Sequence, residues 1–295
     1  MTYKSGFVTI IGRPNVGKST LMNEVIGQKI AIMSDKPQTT RNKIQSIHTE
    51  DNFQMIFIDT PGITKPKHKL GDYMLKAARE TLGEVDVILF VVDESLTIGA
   101  GDTYIIQELK DIKTPVILVI NKIDKIDQEK FNYIYEKYEK MNIFSDIVGI
   151  SALERANLQV LVDKIVDFLP EGPQYFPGDM ITDQPERVIV AEIIREKILH
   201  YTHEEIPHGV AVETTMMKQR ENKDIVDIHA TIYCEKKSHK GIIIGKQGRK
   251  LKGIGKSARE DIEKLLGSKV YLELWVKVKE DWRNSQNTLR TLGYE

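Results

Sequence analysis

The chain has 295 residues, 41% hydrophobic and 29% charged, with a formal net charge of −1. That length carries two domains, and the composition excludes a disordered or low-complexity chain. One cysteine, Cys234, excludes an internal disulfide framework and suits a reducing compartment, while apolar runs such as Val87–Val92 are too short to span a bilayer.

The first strand-like run, Phe7–Ile11, leaves no room for a targeting segment, so a cytoplasmic location is expected. Further strands are predicted at Phe53–Asp59, Val85–Val92, Pro115–Ile120 and Ile147–Ile150. Helix-period segments lie between or after them at Leu70–Leu82, Thr103–Lys110, Lys130–Met141 and Leu158–Leu169. This alternation predicts an α/β domain over 1–170, with a mostly parallel sheet and helices on both faces. Pro170–Glu186 holds four prolines and no period, so 171–186 is read as a linker or surface strap. Beyond it the rhythm changes. Arg187–His203 is helical in pattern, Val210–Met217 and Ile225–Cys234 alternate as antiparallel strands, two short helices flank Gly245–Gly248, and Val270–Val278 closes as a strand. A polar helix is expected at Asp281–Leu292. This α-β-β-α-α-β order predicts a small α+β domain over 187–295. Its Lys236–Arg259 segment holds nine basic residues and no acid. Such a block is either a solvated face or a site for a polyanion.

The chemistry begins directly after the first strand. Gly12-Arg13-Pro14-Asn15-Val16-Gly17-Lys18-Ser19, followed by Thr20 and a helical pattern, has the spacing of a phosphate-binding loop. Glycines let backbone N–H groups converge on one anion, Lys18 places a charge on the β/γ-phosphates, and the Ser19 hydroxyl can ligate Mg²⁺. Asp59-Thr60-Pro61-Gly62 ends a strand; Asp59 can hold Mg²⁺ through water and the Gly62 N–H can meet the γ-phosphate. Between these, the loop Pro37–Asn42 can complete the Mg²⁺ shell with Thr40 or Thr39, of which Thr40 is preferred. Asn121-Lys122-Ile123-Asp124 caps another strand. Asp124 can accept two hydrogen bonds from guanine, Asn121 can tie loops together, and the Lys122 stem can cover the ring. Ser151-Ala152-Leu153 can offer the Ala152 N–H to guanine O6. Any one of these short motifs alone is weak; their order and spacing predict a site for GTP and GDP, with Lys18, Thr40 and Gly62 assisting hydrolysis.

The ordered set resembles the translation-factor-like branch of small GTPases. Ile242-Ile243-Ile244-Gly245-Lys246-Gln247-Gly248, in its α-β-β-α-α-β setting, resembles a type II KH domain with its GxxG loop. Together the two parts resemble the Era family of ribosome-assembly GTPases over essentially the whole chain. That resemblance implies binding near the 3′ end of 16S rRNA during 30S subunit assembly, possible peripheral association with the inner face of the cell membrane, and no DNA partner. In this reading Gly245 and Gly248 let the backbone approach successive phosphates, with Lys240, Lys246, Gln247, Arg249, Lys250 and Lys252 around them and Ile242–Ile244 packing beneath. The alternative is a GTPase whose basic domain docks protein or membrane. A tRNA-modification GTPase fits less well, because its C-terminal cysteine motif is absent.

Ile63 stands where small GTPases carry a water-orienting glutamine, and an aliphatic side chain cannot orient water by hydrogen bonding. Asn15 matches the asparagine through which related potassium-dependent GTPases hold K⁺; a purely structural role in the loop fits it equally. Neither Arg13 nor Arg41 is a strong arginine-finger candidate, so slow intrinsic turnover is expected. His200, His203 and His208 read as a solvated helix end, Cys234 and Trp275 as packing residues, and Trp282 is undecided.

Overall fold

The computed structural model describes residues 2–32, 44–59, 69–70, 81–203 and 206–292. The chain divides into two compact units, the second formed mainly by Gln184–Glu295.

In the first unit the described strands are β1 (Lys4–Ile11), β2 (Ile44–Thr49), β3 (Phe53–Asp59), β4 (Val87–Val92), β5 (Val116–Ile120) and β6 (Asp146–Gly149). They form one sheet in the order β2-β3-β1-β4-β5-β6, with every pair parallel except β2 on β3. All residues of β4 and β5 are buried, as a parallel sheet covered on both faces requires. Helices α1 (Lys18–Ile26) and α4 (Leu158–Phe168) cover one face, where Leu21, Met22, Leu161 and Ile165 meet Val8, Ile10, Leu89 and Val119. Helices α2 (Ala100–Leu109) and α3 (Gln128–Glu139) cover the other, where Ile105, Leu109 and Ile134 meet Ile11, Phe90 and Leu118. Each such side chain contributes about 1.5–3 kcal/mol on burial. Most of the predicted segment Leu70–Leu82 lies outside the described residues. The antiparallel strand β2 was not foreseen, because IQSIHT carries no strong alternation.

Residues 170–182 are tied along this unit. Gly172 N donates to Tyr3 O, Ile47 N to Ile181 O, and the Thr182 hydroxyl to Gln45 O. Buried Gln54 of β3 accepts from Tyr175 N and Phe176 N and donates to Phe176 O and Thr49 Oγ1. Its amide satisfies the strap backbone much as another strand would.

The second unit holds α5 (Glu186–Tyr201), β7 (Val210–Gln219), β8 (Ile225–Cys234), α6 (Lys237–Ile244), α7 (Arg249–Leu266), β9 (Lys269–Val278) and a short α8 (Gln286–Thr291). The sheet order is β7-β8-β9, with β7 antiparallel and β9 parallel to β8. Its core joins Ile194 and Ile198 of α5, Ile228, Ala230 and Ile232 of β8, and Ile254, Ala258 and Ile262 of α7. Lys197 bridges α5 to α7 through Asp261 at 2.5 Å.

Helices cover one face of this sheet only, and that corrects two expectations. Trp275 is 56% exposed, because odd-numbered residues of β9 point to the uncovered face. The run Ile242–Ile244 is helical, so one face packs. Ile243 is fully buried and Ile244 packs against the core, but Ile242 is 44% exposed. Trp282, left open by the sequence, is buried and its Nε1 donates to Gly209 O at 3.0 Å. Cys234 is buried in the core, as expected. The expected polar helix over Asp281–Leu292 is only Gln286–Thr291, preceded by a 3₁₀ turn at Trp282–Asn284.

Candidate functional site: a phosphate loop, a base pocket and a basic groove

The loop between β1 and α1 is shaped by two backbone positions that reject a side chain. A Cβ on Gly12 (φ 151°) would stand 2.3 Å from Val91 O, and one on Gly17 (φ 99°) 2.2 Å from Asn121 Nδ2. Asn15 takes the left-handed conformation at φ 68°, which asparagine tolerates better than most residues. Gly17 caps α1 with no side-chain hydrogen bond, so the first N–H groups and the positive end of the helix are presented to an anion. The Lys18 ammonium donates to Gly12 O and Arg13 O, both at 2.8 Å, and so sits over the loop. Ser19 and Thr20 follow in the first helical turn and are half-buried. These features suit a triphosphate.

The Arg13 guanidinium is engaged by acids of the neighbouring strand end and helix. It pairs with Asp93, with Asp102 at 3.0 Å and with Ser95 Oγ at 3.2 Å, so it braces the loop against α2. Asp102 is 1% exposed, and burial pushes its carboxyl up while the Arg13 charge opposes that shift. Sequence reasoning missed Asp93 and Asp102, although Asp93 closes the apolar strand VILFVV and so announces a strand-end position. It also missed Asn23. From α1, that buried amide accepts from Ile30 N and Ala31 N and donates to Ala31 O, holding the chain that leads towards Thr40. Thr39, Thr40, Thr60, Pro61, Gly62 and Ile63 lie outside the described residues, as does the Asp59 side chain. The Asp59 backbone closes β3, opposite Ile10.

The base-side residues converge on Asn121, which is 2% exposed. Its Nδ2 donates to Val16 O at 2.8 Å; its Oδ1 accepts from Lys122 N at 2.8 Å and Ala152 N at 3.0 Å. Three loops distant in sequence are thereby stitched into one. The Ala152 N–H is thus engaged by Asn121, so a base carbonyl would have to share it. The Ser151 hydroxyl donates to Asp124 Oδ1 at 2.5 Å and accepts from Glu154 N at 3.2 Å, which fixes the carboxylate's orientation. Lys122 has φ 66°, and its ammonium lies 3.7 Å from both Asp93 and Glu94. Leu153 is 72% exposed.

In the second unit the loop joining α6 to α7 presents Lys246 and Gln247 to solvent. Gly245 has φ 72°, and a Cβ there would come 2.7 Å from Lys250 Cβ. Gly248 has φ 74° and open space around it. Beside the loop lies a groove of about 770 Å³ between α7 and β9. Arg249, Lys252, Lys256 and Arg259 edge it, and Leu272 and Leu274 supply apolar wall. Of the basic residues expected here, Arg249 and Lys252 line the groove, whereas Lys240, Lys246 and Lys250 lie outside that lining, and Lys250 packs against Gly245. Lys256 and Arg259 were not singled out from the sequence, although 249, 252, 256 and 259 form one helical stripe. Among the described residues no cluster of His, Cys, Asp or Glu could hold a metal ion, and no helix is long and apolar enough to cross a membrane.

A phosphate-type loop at the end of β1, the Asn121–Asp124 and Ser151–Leu153 loops tied to it, and a basic groove beside a GxxG loop are the parts of a P-loop GTPase carrying a KH module. Residues 7–122 match the 50S ribosome-binding GTPase family and residues 205–283 the KH domain family. GTPase Era of Alkaliphilus oremlandii (strain OhILAs) is 75% identical over the full length of both chains, and GTPase Era of Clostridioides difficile (strain 630) is 64% identical over 99% of each. The chain belongs to the Era family of GTPases. Among solved structures, Era in complex with MgGDPNP and nucleotides 1506–1542 of 16S ribosomal RNA is 45% identical, with 99% of each chain covered and a TM-score of 0.94. A variant of Aquifex aeolicus Era bound to GDP·AlF₄⁻ superposes at 0.93 with the same identity and coverage.

Proposed function

We propose that the chain binds and hydrolyses GTP and couples its nucleotide state to binding of the 16S rRNA 3′ region during 30S subunit assembly in the cytoplasm. The observation that carries this is the 45% identical Era structure, aligned over 99% of each chain, which holds both MgGDPNP and that rRNA segment. The loop geometry supports assigning the backbone of Gly12–Thr20 to the phosphates and Ser19 to Mg²⁺; the order of motifs in the sequence alone supports Thr40 and Asp59 as the rest of the Mg²⁺ set and Thr60–Ile63 beside the γ-phosphate. Asn121, Lys122, Asp124 and Ser151–Leu153 form the base side. Bound Mg²⁺ would neutralise charge on the β- and γ-phosphates; Lys18 supplies a fixed charge beside it. The orientation of Asp124 by Ser151 supports guanine, whose N1–H and N2 amine both donate, over adenine. The open GxxG loop and the basic stripe on α7 support RNA as the polyanion. Although the matched GTPase family is described by the 50S subunit, 16S rRNA belongs to the 30S subunit.

The test is Lys246→Asp with Gln247→Asp, which reverses charge at the loop and keeps both glycines. RNA spanning 16S nucleotides 1506–1542 should bind the parent with a salt slope of about −0.7 per phosphate contact along its single-stranded part. The double variant should lose that binding while GTP binding and basal hydrolysis persist. RNA affinity within twofold of the parent would remove the loop as the phosphate clamp. Binding to anionic vesicles with no binding to RNA would instead favour peripheral membrane docking.

A further inference from the structure

We infer that the uncovered face of the second unit's sheet is a stacking surface for single-stranded RNA that leaves the groove, with Tyr271 and Trp275 as its two platforms. The inference rests on the RNA-binding reading of the groove. Helices cover one face of the β7-β8-β9 sheet, and β9 turns its odd-numbered residues outward. Tyr271 is 51% exposed and Trp275 56%, so neither ring is consumed by packing. Four residues apart on one strand, their Cα atoms are separated by ~13 Å, which leaves room for a base on each.

A basic residue accompanies each ring, Arg220 at Tyr271 and Lys277 beyond Trp275. The Arg220 guanidinium stands 5.3 Å from the Tyr271 ring centre and is bound to Asp227 at 2.6 Å. That pair holds the Tyr271 ring in place on one side and neutralises a carboxylate that would repel phosphate. The other two carboxylates of this face are hydrogen-bonded and keep their charge with the imidazole neutral: Glu273 lies 3.3 Å from His229, and Glu213 accepts from the Tyr233 hydroxyl at 2.8 Å. Lys277 lies exposed beyond Trp275 on the same strand. The rings are separated by the His229–Glu273 pair, so the face is not a continuous apolar patch of the kind that marks a protein interface. Isolated flat rings among cations suit bases, each of which has its own π-face.

Continuity with the groove completes the case. Tyr271 also lines the groove beside Arg249 and Lys252, at the free edge of β9. A strand clamped at Gly245–Gly248 therefore meets Tyr271 first and Trp275 next as it passes over that edge. A KH groove accommodates about four nucleotides, so the sheet face would extend the footprint beyond the groove.

Full-length protein carrying Tyr271→Ala and Trp275→Ala tests this with two single-stranded RNA probes, a tetranucleotide and a 12-mer. The 12-mer should lose about tenfold or more in affinity, as expected for loss of two stacking partners; the tetranucleotide, which reaches only Tyr271 at the groove's edge, should lose distinctly less, and Trp275→Ala alone should leave it unchanged. Tyr271→Phe with Trp275→Phe should retain most of the affinity, because the rings remain. In the parent, the 12-mer should quench the emission of exposed Trp275 and the tetranucleotide should not; buried Trp282 is screened from both. A 12-mer affinity within twofold of the parent in the alanine variant would overturn the inference and leave the face to a protein partner. That result would leave intact the effect of Lys246→Asp with Gln247→Asp, which tests the groove by itself. If that second variant bound both probes normally, the groove reading would fail first.

Discussion

Replacing Asn121 with alanine tests whether the phosphate and base loops act as one site. Three hydrogen bonds disappear: to Val16 O, from Lys122 N and from Ala152 N. Val16 is 0% and Ala152 2% exposed, so water has poor access to the groups left behind. Each buried group stranded without a partner costs about 1–3 kcal/mol, so the two together cost about 2–6 kcal/mol. A typical domain has only about 5–15 kcal/mol to lose. The first unit should therefore unfold at markedly lower urea, and saturating GDP should restore part of the loss by mass action. GDP affinity should fall by about 5- to 150-fold, equivalent to 1–3 kcal/mol, because the base loops lose their register with the phosphate loop. Titration of a fluorescent GDP analogue and urea unfolding followed by circular dichroism read the two effects. Asn121→Asp isolates the tether: it keeps both acceptor bonds but sets an oxygen against Val16 O. Affinity and urea midpoint both equal to the parent in the alanine variant would refute the claim that this amide joins the loops.

Three further outcomes are expected. Asp124→Asn should exchange guanine preference for xanthine, whose O2 accepts from an amide; undiminished preference for GTP over XTP in a competition assay would reverse the base assignment. If Asn15 helps hold K⁺ against the phosphates, phosphate release should be faster in KCl than in NaCl at equal ionic strength, and Asn15→Ala should erase the difference. Equal rates in both salts would leave Asn15 its left-handed turn alone. The Cys234 thiol is pushed up by burial, so the native protein should resist Ellman's reagent at mildly alkaline pH and react on unfolding. Rapid labelling of the folded chain would contradict the packing of β8.

The amino-acid sequence by itself determined the nucleotide chemistry and most of the described elements, though not the edge strand β2. Strands buried on both faces read as continuous apolar runs, so VILFVV and VILVI were legible without tertiary information. The phosphate loop and the base motifs were legible for a related reason. Their geometry is local: a strand end, a tight turn and a helix start are specified by residues within a few positions of one another. What required the tertiary structure was everything that depends on distant partners. Arg13 is occupied by Asp93 and Asp102, some 80 and 89 residues away, and Asn121 reaches Val16 across 105. No local pattern encodes such pairings. The same limit applies to faces. Alternation along β9 correctly separated two sets of side chains, but whether helices cover one face or both is settled only when α5, α6 and α7 pack. They cover one, and Trp275, which looked like core along the strand, therefore stands in solvent.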